Sequence, residues 1–123
     1  MAPRRKPQPE RQPVPDPAIF DRAHLLRYTM ESRDLEREIL ELFMAQIPAT
    51  VAMFAAAEDA AAWKFATHTL KGSAAAVGAW RIHGIASELE TLQFDLNADV
   101  RTKSLERLEA AFREFRHVVV HLY

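Results

Sequence analysis

DAAAWKFATHTLKGSAAAVGA, residues 59–79, is the stretch whose reading decides the fold of this chain. It predicts a helix from Asp59 to Val77, stopped at Gly78 by a left-handed cap that glycine adopts without steric cost. At ~100° per residue, Ala62, Ala66, Thr69, Leu70, Ser73 and Val77 fall in one sector and are the expected core face. His68 lies about 150° from the centre of that sector and should face solvent. Lys64 and Lys71, at i−4 and i+3, share the outer face with it. Ala61, Gly72 and Ala75 complete the strip. A face that is merely solvated usually carries long charged chains, whereas this one is kept low around a single histidine.

Working outward, the same periodicity continues on both sides. From Ala18 onward the chain reads as helical, with no sustained strand alternation. A short helix is expected from about Asp21 to Thr29, with Leu25 and Leu26 inward. Ser32 or Asp34 can cap the next helix. That helix carries Leu35, Ile39, Leu42, Phe43, Ile47, Val51 and Phe54, and Pro48 should bend or split it. A fourth helix is expected over 79–96, with Ile82, Ile85, Ala86, Leu89, Leu92 and Leu96 on one face. Asn97, Ala98 and Asp99 form the next turn. The last helix carries Leu105, Leu108, Phe112, Phe115, Val119 and Leu122 in one stripe. Short connections make neighbouring helices antiparallel. The expected fold class is all-α: an up-down four-helix bundle with a short extra N-terminal helix, over residues 18–123.

Residues 1–17 read differently. Six of the seven prolines lie in this segment, mixed with Arg4, Arg5, Lys6 and Arg11. Such a composition makes neither helix nor core, and a disordered tail is expected.

Composition bounds the function. The chain has 123 residues, 49% of them hydrophobic, which is enough for one core. Its net charge of −1 argues against a nucleic-acid binder, and the absence of cysteine excludes disulfides and thiolate metal sites. No uninterrupted apolar run reaches the roughly 18 residues that cross a bilayer, so no membrane association and a cytoplasmic setting are expected.

The chemistry centres on His68. A neutral imidazole is a usable nucleophile near pH 7. An adjacent ammonium balances a dianionic phosphoryl group, and a glycine beside both leaves room for another protein. If Gly78 and Ala79 form a hairpin turn, the residue level with His68 on the fourth helix is Glu90. A carboxylate there could hold the Nδ1 proton and leave Nε2 free; the alternative is an ordinary surface charge. The combination points to a histidine that carries a phosphoryl group between proteins.

His68-Thr69-Leu70-Lys71-Gly72 followed by Gly78-Ala79 resembles the signature of histidine-containing phosphotransfer (HPt) domains, the His-to-Asp relay modules of two-component signalling. Phe43, the alanine-rich stretch before the histidine and Ala86-Ser87-Glu88-Leu89-Glu90 extend the resemblance over about residues 18–123. It implies that His68 is the phosphorylated residue, that Lys71 steadies the phosphoryl oxygens, and that Gly72 lets a receiver domain come close. Glu90 falls where the family places a Gln or Glu that hydrogen-bonds the ring. Some family members carry a further polar or basic residue on the fourth helix near the site, where this chain departs and offers Ser87 and Phe94. The expected docking surface comprises Gly72, Ala75, Ala61, Lys64, Phe65, Ser87 and His83, with Ala76 at its rim. The implied partners are response-regulator receiver domains and an upstream or hybrid histidine kinase. Mg²⁺ is expected in the receiver and no cofactor or metal here. The chain lacks a glycine-rich nucleotide loop, so the expected role is a carrier with a phosphohistidine intermediate rather than an ATP-dependent kinase.

Two other readings compete. A non-catalytic helical module could dock on a receiver and occlude it, although a pure binder need not keep His68, Lys71, Gly72 and Glu90 together. A metal-binding bundle would need inward Glu and Glu-x-x-His pairs, and the core stripes are apolar. His117 and His121 are spaced to share a metal, but no third ligand accompanies them. His24 and His83 read as surface or interface histidines. A monomer is expected, because assigning the core leaves no large apolar patch.

Overall fold

A computed structural model describes residues 15–92, 94 and 98–123. The described residues form five helices and no strand: α1 (Arg22–Thr29), α2 (Arg33–Ala56), α3 (Ala60–Val77), α4 (Trp80–Thr91) and α5 (Ala98–Leu122). Helix α3 packs on α2 and α4, and α5 packs on α4 and α2; α1 lies against α2 and α3. The expected tail falls almost wholly outside the described residues, as does Leu96.

Side-chain caps explain three of the helix starts. Asp21 accepts from the His24 amide, Ser32 from the Leu35 amide and Asp59 from the Ala62 amide. Each bond satisfies an amide that the first turn leaves without a partner. Helix α4 has no side-chain cap at Ala79. Instead the Arg81 amide donates to the Ala18 carbonyl at 2.7 Å, so the segment before α1 completes the start of α4. The Asp21 amide donates to the Gly78 carbonyl at 2.9 Å and fastens α1 to the same turn. Gly78 ends α3 in the left-handed conformation, at φ 78°, as its position in the sequence predicts.

The core is built from Phe20, Leu25, Leu40, Phe43, Phe54, Trp63, Leu70, Ile82, Leu89, Leu108, Phe112 and Phe115, among others. Phe20 is fully buried and meets Phe115 edge-on, with ring centroids 5.7 Å apart. Such an offset ring pair contributes about 0.5–1.5 kcal/mol beyond the area it buries.

Several sequence expectations are corrected here. Helix α2 runs unbroken through Pro48, so the helix is not split; the missing amide costs one bond inside an otherwise continuous ladder. Leu35 and Leu42 were expected inward but are exposed, and Leu40 and Glu36 are buried instead. On α3 the core face holds Trp63, Ala66, Thr67, Leu70, Ala74 and Val77, while Ala62 and Thr69 are exposed. Helix α4 ends at Thr91 rather than near Leu96, and Ala98 and Asp99 already belong to α5. By length and average composition part of α2 is apolar enough to cross a membrane, although Glu41, Gln46, Pro48 and Thr50 interrupt it. Its buried members, Leu40, Phe43 and Phe54, pack into the core as those of any amphipathic core helix do. Leu35, Leu42 and Val120 present apolar side chains to solvent.

One buried charge anchors the C-terminal end of α5. Glu36 is 1% exposed, and its Oε1 accepts from Arg22 Nε at 3.0 Å and from the Tyr123 hydroxyl at 2.6 Å. The guanidinium groups of Arg22 and Arg33 each lie within 6 Å of the Tyr123 ring centroid. Burial, reinforced by the Glu36 carboxylate, pushes the phenol up to about 12. The unfolded phenol titrates near about 10. The stability this group contributes is therefore complete below about pH 10 and is lost as pH rises through about 12. Urea unfolding between these pH values should show a decline that Tyr123→Phe reduces. An identical decline in both proteins would refute the assignment.

Candidate functional site

The site lies along the valley between the outer face of α3 and the adjoining flank of α4. His68 is exposed, and among the described residues none hydrogen-bonds its ring. The expectation that it points outward is met, although the core face it opposes is centred on Trp63, Thr67 and Ala74 rather than on Ala62, Thr69 and Ser73. The reason lies in Trp63 and Thr67. The Trp63 indole N–H donates to the Leu89 carbonyl at 2.8 Å, and the Thr67 hydroxyl donates to the Lys64 carbonyl at 2.9 Å. With their polar atoms satisfied, both side chains can be buried.

Lys71 and Glu90 meet across the valley. Lys71 Nζ stands 3.0 Å from Glu90 Oε2, with the two side chains 32% and 30% exposed. That oxygen is closed off from solvent and has no aligned hydrogen-bond donor, so the contact is an ion pair. Lys71 holds the Glu90 carboxyl below the usual carboxylate range, and the charges of His68 and Lys64 act in the same direction. The hairpin register thus places Glu90 beside the His68 site, as expected. Its carboxylate, however, is engaged by Lys71, and no hydrogen bond joins it to the His68 ring.

The surrounding surface is low. Ala61, Lys64, Gly72 and Ala76 are exposed, and Ala75 is half-buried. Phe65, one turn before His68, is 65% exposed. A side-chain carbon built on Gly72 would meet nothing within 4 Å, so the glycine is not demanded by packing inside the chain. Gly72→Ala is accordingly expected to stabilise the fold by roughly 0.5–1 kcal/mol, the usual cost of glycine inside a helix. Chemical denaturation reads this directly, and a loss of stability would show that the position does serve packing.

On α4, His83 and Ser87 are half-buried, two turns and one turn before Glu90 respectively. The Ser87 hydroxyl donates to the His83 carbonyl at 3.0 Å, which turns it back onto its own helix. Phe94 lies beyond the end of α4, under the guanidinium of Arg101, rather than on the helix as expected. A shallow groove lined by Ala60, Trp63, Lys64, Glu90, Leu92 and Phe94 opens at this end of the valley.

At the other end the valley meets α1, which sequence reasoning left out. A ring nitrogen of His24 lies 2.8 Å from the Ala75 carbonyl, and its ring stacks edge-on against Trp80 and Tyr28. The Trp80 indole N–H donates to Asp21, and this bond is the leading cause of the lowered pKa of that carboxyl. No local pattern announces a contact between residues 51 positions apart. His117 and His121 pack together on α5. Among the described residues no group of three or more His, Cys, Asp or Glu could hold a metal ion.

An exposed histidine, a lysine one turn on and a bare backbone position thus share the outer face of α3. The family model described as Hpt domain matches residues 30–118, and the chain belongs to the Hpt domain family. Comparisons with curated proteins and with solved structures returned no match. Membership makes this chain a phosphotransfer module of the two-component kind, a class whose members interact with receiver domains and kinases in phosphorelays.

Proposed function

We propose that His68 accepts a phosphoryl group from the aspartyl phosphate of a receiver domain and returns it to another. The observation that carries this reading is the exposed His68 ring beside the Lys71–Glu90 pair, on a face kept low by Ala61, Gly72 and Ala76. The five helices are read as an antiparallel up-down bundle, α2 to α5, with α1 laid across one end. In the proposed reaction Nε2 of the neutral imidazole attacks phosphorus in line. Its lone pair forms the P–N bond, the P–O bond to the donor aspartate breaks, and the electron pair leaves with the aspartate. Positioning and local charge carry such a transfer. Lys71, with Lys64 near it, supplies positive charge to the phosphoryl oxygens. The receiver supplies Mg²⁺ and its acidic pocket, and the chain itself needs no nucleotide.

Docking is proposed over Ala61, Lys64, Phe65, Gly72 and Ala75 of α3 with His83 and Ser87 of α4. The competing reading, a helical module that only occludes a receiver, would leave His68 unlabelled. Incubation with a phosphorylated receiver, followed by acid and alkali treatment, separates the two. Acid-labile, alkali-stable label on this chain supports transfer, and its absence with every receiver domain of the source organism would favour occlusion. Gly72→Glu should block transfer while the circular dichroism spectrum stays helical, and retained transfer would count against this docking surface.

A further inference from the structure

Lys71 faces two candidate anions, the Glu90 carboxylate that holds it now and the phosphoryl group that His68 is proposed to receive. We propose that Glu90 holds Lys71 back from His68, and so keeps the phosphorylated histidine poised to give up its phosphoryl group. The inference rests on the reading of His68 as the acceptor and concerns how tightly that acceptor keeps what it receives.

The geometry supplies the competition. Lys71 Nζ is 3.0 Å from Glu90 Oε2, an oxygen shut off from water. Withdrawal of Lys71 would leave that enclosed oxygen without a partner, which carries a cost. A dianion built on the neighbouring ring can draw on Lys71 only by sharing it with Glu90. It also feels the carboxylate charge directly across a half-exposed surface. Lys64 is exposed and one turn away, so it offsets little of either effect. Glutamine at this position could still accept a hydrogen bond from Lys71, but would neither bind it as an ion nor repel the phosphoryl group. Glu90 therefore acts through Lys71 as a positioning residue, and the quantity it governs is an equilibrium rather than a rate.

Potassium phosphoramidate tests this without any partner protein. A histidine ring nitrogen attacks its phosphorus, the P–N bond to ammonia breaks, and ammonia leaves with the bonding pair after protonation by solvent. Full-length protein is equilibrated at a fixed ratio of phosphoramidate to ammonium, and phosphohistidine is quantified by ³¹P NMR. Signal that survives in His68→Gln is subtracted as labelling of other histidines. Glu90→Gln should raise the equilibrium constant for phosphorylation of His68 by about tenfold, the order expected for removing one charge a few ångströms from a dianion at a protein surface. Lys71→Ala should lower it, and in the Lys71→Ala background Glu90→Gln should gain less. Equal constants in wild type and Glu90→Gln, with His68 labelled in both, would overturn the inference and leave the acceptor reading intact. Absence of any His68 signal in the wild type would overturn both. A residue that only shaped the fold would alter the unfolding midpoint and leave the constant unchanged.

Discussion

His68→Gln should remove phosphoryl acceptance completely while the unfolding midpoint stays where it is in the wild type. The ring is exposed and bonded to nothing among the described residues, so its loss creates neither a cavity nor an orphaned polar atom. Surface substitutions of this sort change stability by no more than about 0.5 kcal/mol. Glutamine keeps a similar reach and polarity but has no nitrogen lone pair that can attack phosphorus. Transfer from a phosphorylated receiver, followed by quantifying alkali-stable label, checks the first half of the prediction, and a denaturant titration the second. Label retained at wild-type level would move the acceptor elsewhere, with His83 as the first alternative because it lies on the same valley.

Gly78→Ala should be the most damaging substitution to the fold for its size. The residue sits at φ 78°, a region that costs an L-residue roughly 1–2 kcal/mol. A side-chain carbon there would also stand 2.6 Å from the Asp21 carbonyl oxygen, which is backbone and cannot rotate away. Relief would require α1 to shift, at the expense of the Asp21 amide bond to the Gly78 carbonyl. The two terms together suggest a loss of about 3 kcal/mol, a large fraction of the stability of a small domain. Urea unfolding of the variant would measure it. A loss below about 1 kcal/mol would mean that the turn accommodates a side chain and that α1 is not fixed as described. Gly84→Ala provides the contrast, because a carbon added there meets nothing within 4 Å and the residue lies inside α4.

The helical class and the placement of His68 were legible because both follow from periodicity and from the cap at Gly78. The orientation of α3 was less so. Alanine occupies seven of its eighteen positions and is at home inside or outside, so the alanines define no face, and Thr69 and Ser73 misplaced the sector. The true face is set by Trp63, whose indole finds the Leu89 carbonyl on another helix. Glu36 shows the same limit. A glutamate in the first turn of α2 reads as a solvated charge, and only Arg22 and Tyr123, brought in from α1 and the end of α5, make its burial tolerable. Within the site, hairpin register placed Glu90 correctly beside His68. Its bond to Lys71 was missed because the sequence assigned each of them a role toward the histidine and none toward the other.

The attachment of α1 gives the valley a closed end. Residues 30–118 carry the family match, so α1 lies outside the matched span, yet His24 grips the backbone of Ala75 two turns below His68 and Tyr28 stands 66% exposed next to it. A visiting protein that reaches the imidazole and extends toward Ala75 runs into this aromatic doorstep. On the docking surface proposed above, its outline on that side would have to fit a feature contributed by α1, and the threshold for entry would be set partly by residues outside the matched span.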